Sequence, residues 1–135
     1  MAAILLDTTV LIDLLRGRSQ AVESVRALRE AGDTVHACAI NIEETVRGLR
    51  PAEHEAAQRL FSGLRIIALG EREGWRAGEW RRAFAGRGRT LAQADCLIAA
   101  AAVGAGAGLA TGNPKDFPFR ELAVEHWPTG ASPHA

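Results

Sequence analysis

The hydrophobic positions of this chain occur in short uninterrupted runs and in longer stretches with helical spacing. The run Ile4-Leu5-Leu6 predicts a buried strand, and the alternating residues 34–39 predict another. Between them, Val22, Val25 and Leu28 recur on one helix face. The same criteria predict strands at 65–69, 109–111 and 123–125, and helices at 10–16, 20–31, 41–48, 52–64, 71–87 and from the Thr90–Gln93 capping-box pattern to about 103.

The order of these elements predicts the fold class. Strands that alternate with helices indicate an α/β protein, in which a parallel sheet carries helices on both faces. The chain has 135 residues, which is enough for one domain with a proper core. We expect this domain to span residues 1–128 and residues 129–135 to form a flexible C-terminal tail.

The net charge argues against a protein whose overall positive charge attracts nucleic acid. Sixteen basic and sixteen acidic side chains cancel, so neither nucleic acid nor an anionic membrane is attracted to the whole molecule. A local basic strip remains possible at residues 81–89, where no acid interrupts Arg81, Arg82, Arg87 and Arg89. These arginines are candidates for contacts with RNA phosphates. They also suit a solvated helix end, where they would complement the helix dipole.

Cysteine and histidine positions predict neither zinc binding nor secretion. Cys38 and Cys96 are far apart and fit no metal-ligand spacing, and the four histidines form no HxxxH pair. The chain opens directly on a predicted strand, so no signal peptide is expected. Its longest apolar run, 96–110, is shorter than the ~20 residues of a membrane span. We therefore expect a reduced, cytoplasmic protein with no membrane partner.

Two aspartates stand where polar side chains are costly or functional. Asp7 directly follows the first predicted strand; it either caps the next helix or points into the crevice at the carboxyl end of the sheet. Asp95 is the only charged side chain in the apolar segment 94–103. A buried carboxylate needs a cation, a proton or an opening into a cleft. Asp95 is therefore either a structural partner of an arginine or a member of a site.

Three further polar residues have both a structural and a functional interpretation. Asn41 and Glu44 have the spacing of a capping box, which would make Glu44 structural, whereas its neighbour Glu43 points about 100° away towards solvent. Asn113 and Asp116 lie after another predicted strand and suit a turn that Pro114 begins. If Asp7, Glu44, Asp95 and Asp116 or Asn113 converge, they form an oxygen-only site that suits Mg²⁺ or Mn²⁺.

The segments that carry these acids resemble those of a known family. The chain resembles the PIN-domain ribonucleases, and specifically the VapC-type toxins of bacterial toxin–antitoxin pairs. The resemblance covers essentially the whole chain, in the family's order, through Leu6–Asp13, Ile40–Leu49, Ala94–Ala100 and Leu109–Phe117. Many family members have an aspartate where this chain has Asn113, and Asn113 supplies no charge. Asp116 is the nearby acid.

The resemblance implies a three-layer PIN-like sandwich with strand order 3-2-1-4-5. It implies an endoribonuclease in which Asp7 and Asp95 hold Mg²⁺ or Mn²⁺, with Glu44, rather than Glu43, and Asp116 completing the site and a 5′-phosphate left on the product. The hydroxyls of Thr9 and Thr111 would position water or a ligand carboxylate. The implied partners are RNA, a small antitoxin and a second copy of the chain. The alternative, which Asn113 motivates, is a catalytically silent PIN domain that acts by binding protein.

Overall fold

The computed structural model describes residues 1–130 and contains one five-stranded sheet with helices around it. Residues 131–135, most of the predicted tail, lie outside the described residues. The strands are β1 (Ala3–Leu6), β2 (Thr34–Cys38), β3 (Arg65–Ile67), β4 (Gly108–Thr111) and β5 (Val124–His126). The helices are α1 (Thr8–Leu15), α2 (Ser19–Glu30), α3 (Ala39–Arg47), α4 (His54–Ser62), α5 (Glu71–Ala85) and α6 (Gln93–Gly104), with 3-10 turns at Pro51–Glu53 and Pro114–Asp116.

The sheet is parallel and its order is β3-β2-β1-β4-β5, as the family resemblance implied. β1 lies in the middle, with Leu5 opposite His36 of β2 on one side and Leu109 of β4 on the other. The strand order therefore reverses at β1. In sheets of this kind ligands bind outside the carboxyl ends of the strands at such a reversal.

The two faces of β1 point into two separate cores, because successive strand residues face opposite sides of the sheet. Leu5 packs with the buried side chains of α5 and α6, whereas Ile4 and Leu6 pack with those of α1 and α2. Helices thus cover both faces, which confirms the three-layer α/β prediction. No helix among residues 1–130 is long and apolar enough to cross a membrane.

Two helices begin at residues other than those the capping patterns predicted. α3 begins at Ala39, so Asn41 is its third residue and accepts a hydrogen bond from the backbone N–H of Cys38 through Oδ1 at 2.8 Å. The predicted box of Asn41 and Glu44 is wrong, because β2 runs directly into the helix without a loop. α6 begins at Gln93 after Ala92 rather than at the predicted Thr90 box, because the buried Leu91 draws the preceding loop into the core.

The last described residues, 127–130, form a segment that we call the C-terminal strap. Its start is joined to β4 by the backbone N–H of Trp127, which donates to the carbonyl of Thr111 at 2.8 Å. Its end is held by Asp13 of α1, whose two carboxylate oxygens accept from the N–H of Gly130 at 3.2 and 3.0 Å. Asp13 is buried and also pairs with Arg18 at 3.2 Å. The strap therefore ties the last strand to the first helix.

Candidate active site

Four of the acids singled out in the sequence lie at the carboxyl end of the sheet, and we call them the acidic cluster: Asp7, Glu44, Asp95 and Asp116. Asp7 follows β1 directly, Glu44 lies in α3 and Asp95 is in the first turn of α6. Asp116 ends the 3-10 turn that follows β4. Four different parts of the chain thus contribute to one region, the point at which the strand order reverses.

Asp7 has both of the roles that the sequence left open. Its Oδ1 accepts a hydrogen bond from the N–H of Thr8 at 2.8 Å, so it caps α1. Its Oδ2 accepts from the hydroxyls of Thr111 at 2.6 Å and Thr9 at 3.4 Å. The side chain is buried, and this burial raises the pKa of the Asp7 carboxyl, with the nearby charge of Glu44 adding to the rise. The three hydrogen bonds oppose the rise by favouring the ionised form.

Thr9 and Thr111 connect Asp7 to the loop after β4. The N–H of Gly112 donates to Thr9 Oγ1 at 3.3 Å, and the N–H of Asn113 donates to Thr111 Oγ1 at 3.0 Å. Each hydroxyl accepts from the loop and donates to the carboxylate, which fixes the direction of its hydrogen. Both threonines are therefore held in the orientation that supports Asp7, and the loop is held against the end of β1.

Glu44 is oriented by a residue that sequence reasoning missed. The hydroxyl of Thr8 donates to Glu44 Oε1 at 2.7 Å and accepts from Asn41 Nδ2 at 3.1 Å. Asn41 Oδ1 in turn accepts from the N–H of Cys38. This series of hydrogen bonds therefore fixes Glu44 relative to the end of β2. The position of Thr8 directly after Asp7 was the available signal. Glu43 is exposed and lies near Arg47, which agrees with its predicted solvent-facing position.

The pKa of Asp95 shows the effect of the other three carboxylates. It is half-buried, and its pKa is raised to about 6, first by burial and then by the charges of Asp7, Asp116 and Glu44. No hydrogen bond from the described residues contributes to this pKa in the opposite direction. The predicted alternative, a structural partner of an arginine, is not what the described residues show. Asp95 instead faces like charges.

The loop of residues 112–116 contributes the carboxylate of Asp116, but not the side-chain amide of Asn113, to the acidic cluster. Asp116 is exposed, yet close enough to raise the pKa of Asp95. The side chain of Asn113 is also exposed and forms no capping hydrogen bond; its backbone N–H, rather than its side chain, takes part in the site. The structure therefore brings Asp116 to the cluster and leaves the Asn113 amide at its edge.

The donor set of the acidic cluster fits a hard divalent cation. All of its donors are carboxylate oxygens, the ligands that Mg²⁺ and Mn²⁺ prefer. The ionised form of Asp95, whose pKa is raised, would be favoured by such a cation. Within residues 1–130, no three His, Cys, Asp or Glu side chains are already close enough to enclose an ion. The four carboxylates of the cluster therefore stand further apart in this structure than the ligands of a closed metal shell.

The four candidate arginines do not form a single group. Arg89 donates to the backbone carbonyl of Lys115 at 2.5 Å, which places it against the loop that carries Asp116. Arg87 lies over the ring of Phe84 at 4.3 Å. Arg81 donates to the carbonyl of Leu91 at 3.3 Å, four residues before Asp95 in the first turn of α6.

Arg82 is directed elsewhere. It lines a groove on the outer face of α5 together with Trp75 and Gly78. Neighbouring residues of a helix point about 100° apart, so Arg81 and Arg82 cannot face the same surface. The basic segment beside the acidic cluster therefore consists of Arg81, Arg87 and Arg89, with Lys115 next to it.

Comparison with known proteins gives a consistent set of relatives. The family model described as PIN domain matches residues 4–125, which include the whole acidic cluster. Ribonuclease VapC19 of Mycobacterium tuberculosis is 31% identical over 115 residues, covering 85% of this chain and 92% of the relative.

Solved structures share the fold. VapBC2 from Rickettsia felis, bound to a DNA fragment from their promoter, has a TM-score of 0.82 at 22% identity, covering 93% of this chain and 98% of that chain. A toxin–antitoxin complex from Klebsiella pneumoniae has a TM-score of 0.70 at 26% identity, covering 89% and 95% of the two chains. The similarity therefore extends over nearly the full length of both chains in each case.

Proposed function

We propose, on the premise that this chain belongs to the PIN-domain family and to its VapC-type ribonucleases, that its acidic cluster hydrolyses phosphodiester bonds of RNA. The chain is then an endoribonuclease of the toxin type, which cuts cellular RNA and is neutralised by a cognate antitoxin protein. Since RNA is the substrate, we place this activity in the cytoplasm.

The observation that carries the proposal is the environment of Asp95. A half-buried carboxylate with a pKa of about 6, facing three other carboxylates, is unfavourable for the fold by itself. Ionisable groups perturbed in this way concentrate at functional sites. The cluster also lies at the reversal of strand order, where α/β sheets bind ligands.

We assign the binding of the divalent cation to Asp7 and Asp95, with Glu44 and Asp116 as further ligands, directly or through water. Membership of the PIN nuclease family implies a divalent metal in general terms. The choice of Mg²⁺ or Mn²⁺ is ours and follows from the all-oxygen donor set. When bound, such a cation lowers the pKa of the attacking water and offsets the charge that develops on the phosphate oxygens.

The side chains around the cluster orient the reacting groups. Glu44, whose Oε1 is held by Thr8, directs its second oxygen to the attacking water and accepts its proton. Thr111 and Thr9 hold Asp7 in one orientation, so the carboxylate needs little rearrangement in the reaction. In-line attack by this water forms the new P–O bond and breaks the bond to the 3′ oxygen, which takes up a proton from solvent and leaves as a hydroxyl, so that the other product carries a 5′-phosphate.

Binding of the RNA backbone is assigned to the basic segment beside the cluster. Arg89 contacts the backbone of the loop that carries Asp116, so its guanidinium lies against that loop. Arg81 and Arg87 extend the basic surface along the end of α5 and the loop after it. Arginines bind phosphate oxygens without reading the base sequence, and they compensate for a chain with no net charge.

The partners of the chain follow from the same relatives. A toxin–antitoxin complex is among the solved structures that share the fold, and we propose that an antitoxin binds this chain and covers the acidic cluster. We also propose that the chain forms a homodimer, as the family resemblance implied.

The proposal is tested by incubating purified, antitoxin-free protein with total cellular RNA. We expect cleavage with Mg²⁺ or Mn²⁺, none with EDTA, and a loss of about a hundredfold or more in Asp7→Asn and Asp95→Asn, since even residues that only support metal ligands cost 10–100-fold. Glu43→Gln is the matched control, because Glu43 is an exposed neighbour of Glu44 outside the cluster. Variants that cut as well as the wild type would show that the activity belongs to a contaminant.

The alternative function that Asn113 motivates is a catalytically silent PIN domain. The effect of Mn²⁺ on the melting temperature distinguishes it from the nuclease. A cation that binds only the folded chain raises its stability by mass action, so millimolar Mn²⁺ should raise the melting temperature of the wild type by several degrees. The Asp95→Asn variant should lose this rise. A flat melting temperature together with intact RNA would favour the silent protein.

A further inference from the structure

We propose that Thr129 of the C-terminal strap is a positioning residue of the acidic cluster: its side chain packs on Gly112 and so fixes the loop that orients Asp7 and carries Asp116. The proposal rests on the function proposed above. It adds to that function a residue outside the cluster on which the affinity for the divalent cation depends.

The contact between Thr129 and Gly112 leaves no space for a side chain on the loop. A Cβ atom at Gly112 would overlap Thr129 Oγ1, and it would lie 2.9 Å from Thr129 Cγ2 and 3.0 Å from Thr129 Cβ. Gly112 is not one of the glycines with a positive φ, so its backbone does not require glycine. The close approach of Thr129 therefore accounts for the missing side chain.

One other glycine has a neighbour this close, and the comparison shows what is particular to Gly112. A Cβ atom at Gly104 would lie 2.8 Å from the ends of the Arg72 and Glu73 side chains. Such ends can rotate away. The Cβ of Thr129, in contrast, moves only with its main chain, so the contact at Gly112 joins the loop to the backbone of the strap.

The main chain of Thr129 is fixed on both sides. The N–H of Trp127 donates to the carbonyl of Thr111 at 2.8 Å, and its ring packs against the core formed with α1 and α2. The N–H of Gly130 donates to both carboxylate oxygens of Asp13 at 3.2 and 3.0 Å. The Thr129 side chain forms no hydrogen bond with residues 1–130, so it acts on the loop through its volume.

The position of Gly112 sets the direction of two hydrogen bonds to Asp7. The N–H of Gly112 donates to Thr9 Oγ1 at 3.3 Å, and the N–H of Asn113 donates to Thr111 Oγ1 at 3.0 Å. Both hydroxyls donate in turn to Asp7 Oδ2, at 3.4 and 2.6 Å. A shift of the main chain at Gly112 would therefore change the orientation of the Asp7 carboxylate.

The same main chain carries Asp116. The N–H of Asp116 donates to the carbonyl of Asn113 at 3.0 Å, which places the Pro114–Asp116 turn directly after Gly112 and Asn113. The charge of Asp116 raises the pKa of Asp95, so the loop carries one of several carboxylates that repel one another. Thr129 supports this loop at the residue where it leaves β4.

A cation binds most tightly to ligands that are already held in place. Removing a group that orients metal ligands from outside costs about 10–100-fold in metal affinity or activity. Loss of the Thr129 side chain should therefore lower the affinity for the cation, which a contact that serves stability alone would leave unchanged.

The test measures the binding of Mn²⁺ alone to the full, metal-free chain by isothermal titration calorimetry. Thr129→Gly and Gly112→Ala should each weaken binding about tenfold, the first by leaving a gap and the second by steric overlap. Thr129→Val keeps the volume and loses only the hydroxyl, so it should bind as the wild type does. Gly74→Ala is the matched control, because a Cβ atom there meets no other atom within 4 Å.

The decisive variant combines Gly112→Ala with Thr129→Gly. The three atoms nearest to a Cβ atom at Gly112 all belong to the side chain of Thr129, and glycine at this position removes them. The double variant should bind Mn²⁺ at least about fivefold more tightly than Gly112→Ala alone, because residues in contact give effects that do not add. Two independent defects would add instead.

Hydrogen exchange of the metal-free chain tests the contact apart from the reaction. The N–H of Asn113 should exchange faster in Thr129→Gly than in the wild type. The N–H of Asp7, which donates to the carbonyl of Ala110 at 2.9 Å, should not. RNA cleavage by Thr129→Gly should fall at low Mn²⁺ and recover at saturating Mn²⁺, because the substitution acts on cation affinity.

Three results would overturn the positioning role and leave the proposed function standing. Unchanged exchange at Asn113 would show that the strap does not hold the loop. Faster exchange with unchanged Mn²⁺ affinity would show that the contact serves stability alone. Losses that add in the double variant would show that Thr129 and Gly112 act separately. A wild type that binds no Mn²⁺ would refute the proposed function, and the role of Thr129 with it.

Discussion

At the scale of single residues, the hydroxyl of Thr8 connects two parts of the candidate site. It donates to Glu44 on α3 and accepts from Asn41, although its own backbone starts α1. The hydrogen bond to a carboxylate is of the charge-assisted kind, worth about 1.5–3 kcal/mol. Thr8 therefore acts on the reaction through Glu44, as a positioning residue.

We predict that Thr8→Val lowers the rate of RNA cleavage about tenfold or more, because Glu44 loses the donor that holds its Oε1. Thr8→Ser keeps the hydroxyl and should retain most of the activity. The measurement is the cleavage rate of one RNA across a Mn²⁺ titration, with circular dichroism to establish that both variants fold. Equal rates for the valine and serine variants would remove the positioning role of Thr8.

The pKa of Asp95 gives a prediction about stability. Its folded-state pKa of about 6 lies above its unfolded value of about 3.9, so the folded chain binds the proton more tightly. Stability is then lost as pH rises from about 4 to about 6, and the loss persists above that range. Solvent screening at a half-buried group reduces its size to about 1 kcal/mol.

Asp95→Asn should therefore be more stable than the wild type by about 1 kcal/mol at pH 8 in the presence of EDTA, and about equally stable at pH 4. Urea unfolding at pH 4, 6 and 8 measures the difference. The exposed substitution Glu43→Gln is the control and should show no such change with pH. A difference between wild type and Asp95→Asn that is the same at every pH would contradict the like-charge environment of Asp95.

At the scale of elements, the C-terminal strap and the loop after β4 support each other. A Cβ atom at Gly112 would overlap the side chain of Thr129, so the strap packs directly on the loop whose N–H groups bind Thr9 and Thr111. The carboxylate of Asp13 holds the far end of the strap through Gly130. A residue of α1 thus stabilises the loop of the candidate site from behind.

We predict that Asp13→Ala lowers the free energy of unfolding by about 2 kcal/mol, because a buried carboxylate with hydrogen bonds and an ion pair is lost. Hydrogen exchange should accelerate at Gly130 and Trp127 but not in β1 and β2. Asp33→Ala, which removes a carboxylate bound to the N–H of Ala2 at the other end of the sheet, is the control. Unchanged exchange in the strap would contradict its attachment to Asp13.

At the scale of the whole molecule, the balance of charge makes RNA binding depend on one region. Sixteen basic and sixteen acidic residues cancel, and the acidic cluster itself repels phosphate. Arg87 and Arg89 lie over the ring of Phe84 at the end of α5, and Arg89 also contacts the loop that carries Asp116. Binding of RNA to a neutral protein must then draw mainly on this local positive surface.

Reversing Arg87 and Arg89 to glutamate should weaken RNA binding at low salt at least tenfold. It should also reduce the slope of log K against log salt by about 1 to 2, the change expected for two lost contacts with single-stranded phosphates. Binding would be measured in the Asp7→Asn background, so that the RNA stays intact. Reversing Arg26 and Arg59, which are exposed elsewhere, is the control for charge alone. Equal effects of the two pairs would remove the local site.

Local sequence patterns were enough to predict the fold class, the order of the elements and most of the acidic cluster. Strands and helices follow local hydrophobic periodicity, which each segment carries in its own residues. Asp7 and Asp95 were recognisable because a carboxylate at a strand end or in an apolar helix is costly wherever the segment lies. The strand order needed the family resemblance, since short strands do not specify their neighbours.

Which side chains contact one another depends on the folded chain and could not be predicted from local patterns. The bond between Thr8 and Glu44 and the attachment of Gly130 to Asp13 join residues that are 36 and 117 positions apart, and no local pattern encodes such contacts. The start of α3 was also a tertiary outcome, because the buried end of β2 fixed it. The direction of Arg82 was a tertiary outcome as well. Because the other face of α5 packs against the core, Arg82 points away from the acidic cluster and lines the groove at Trp75.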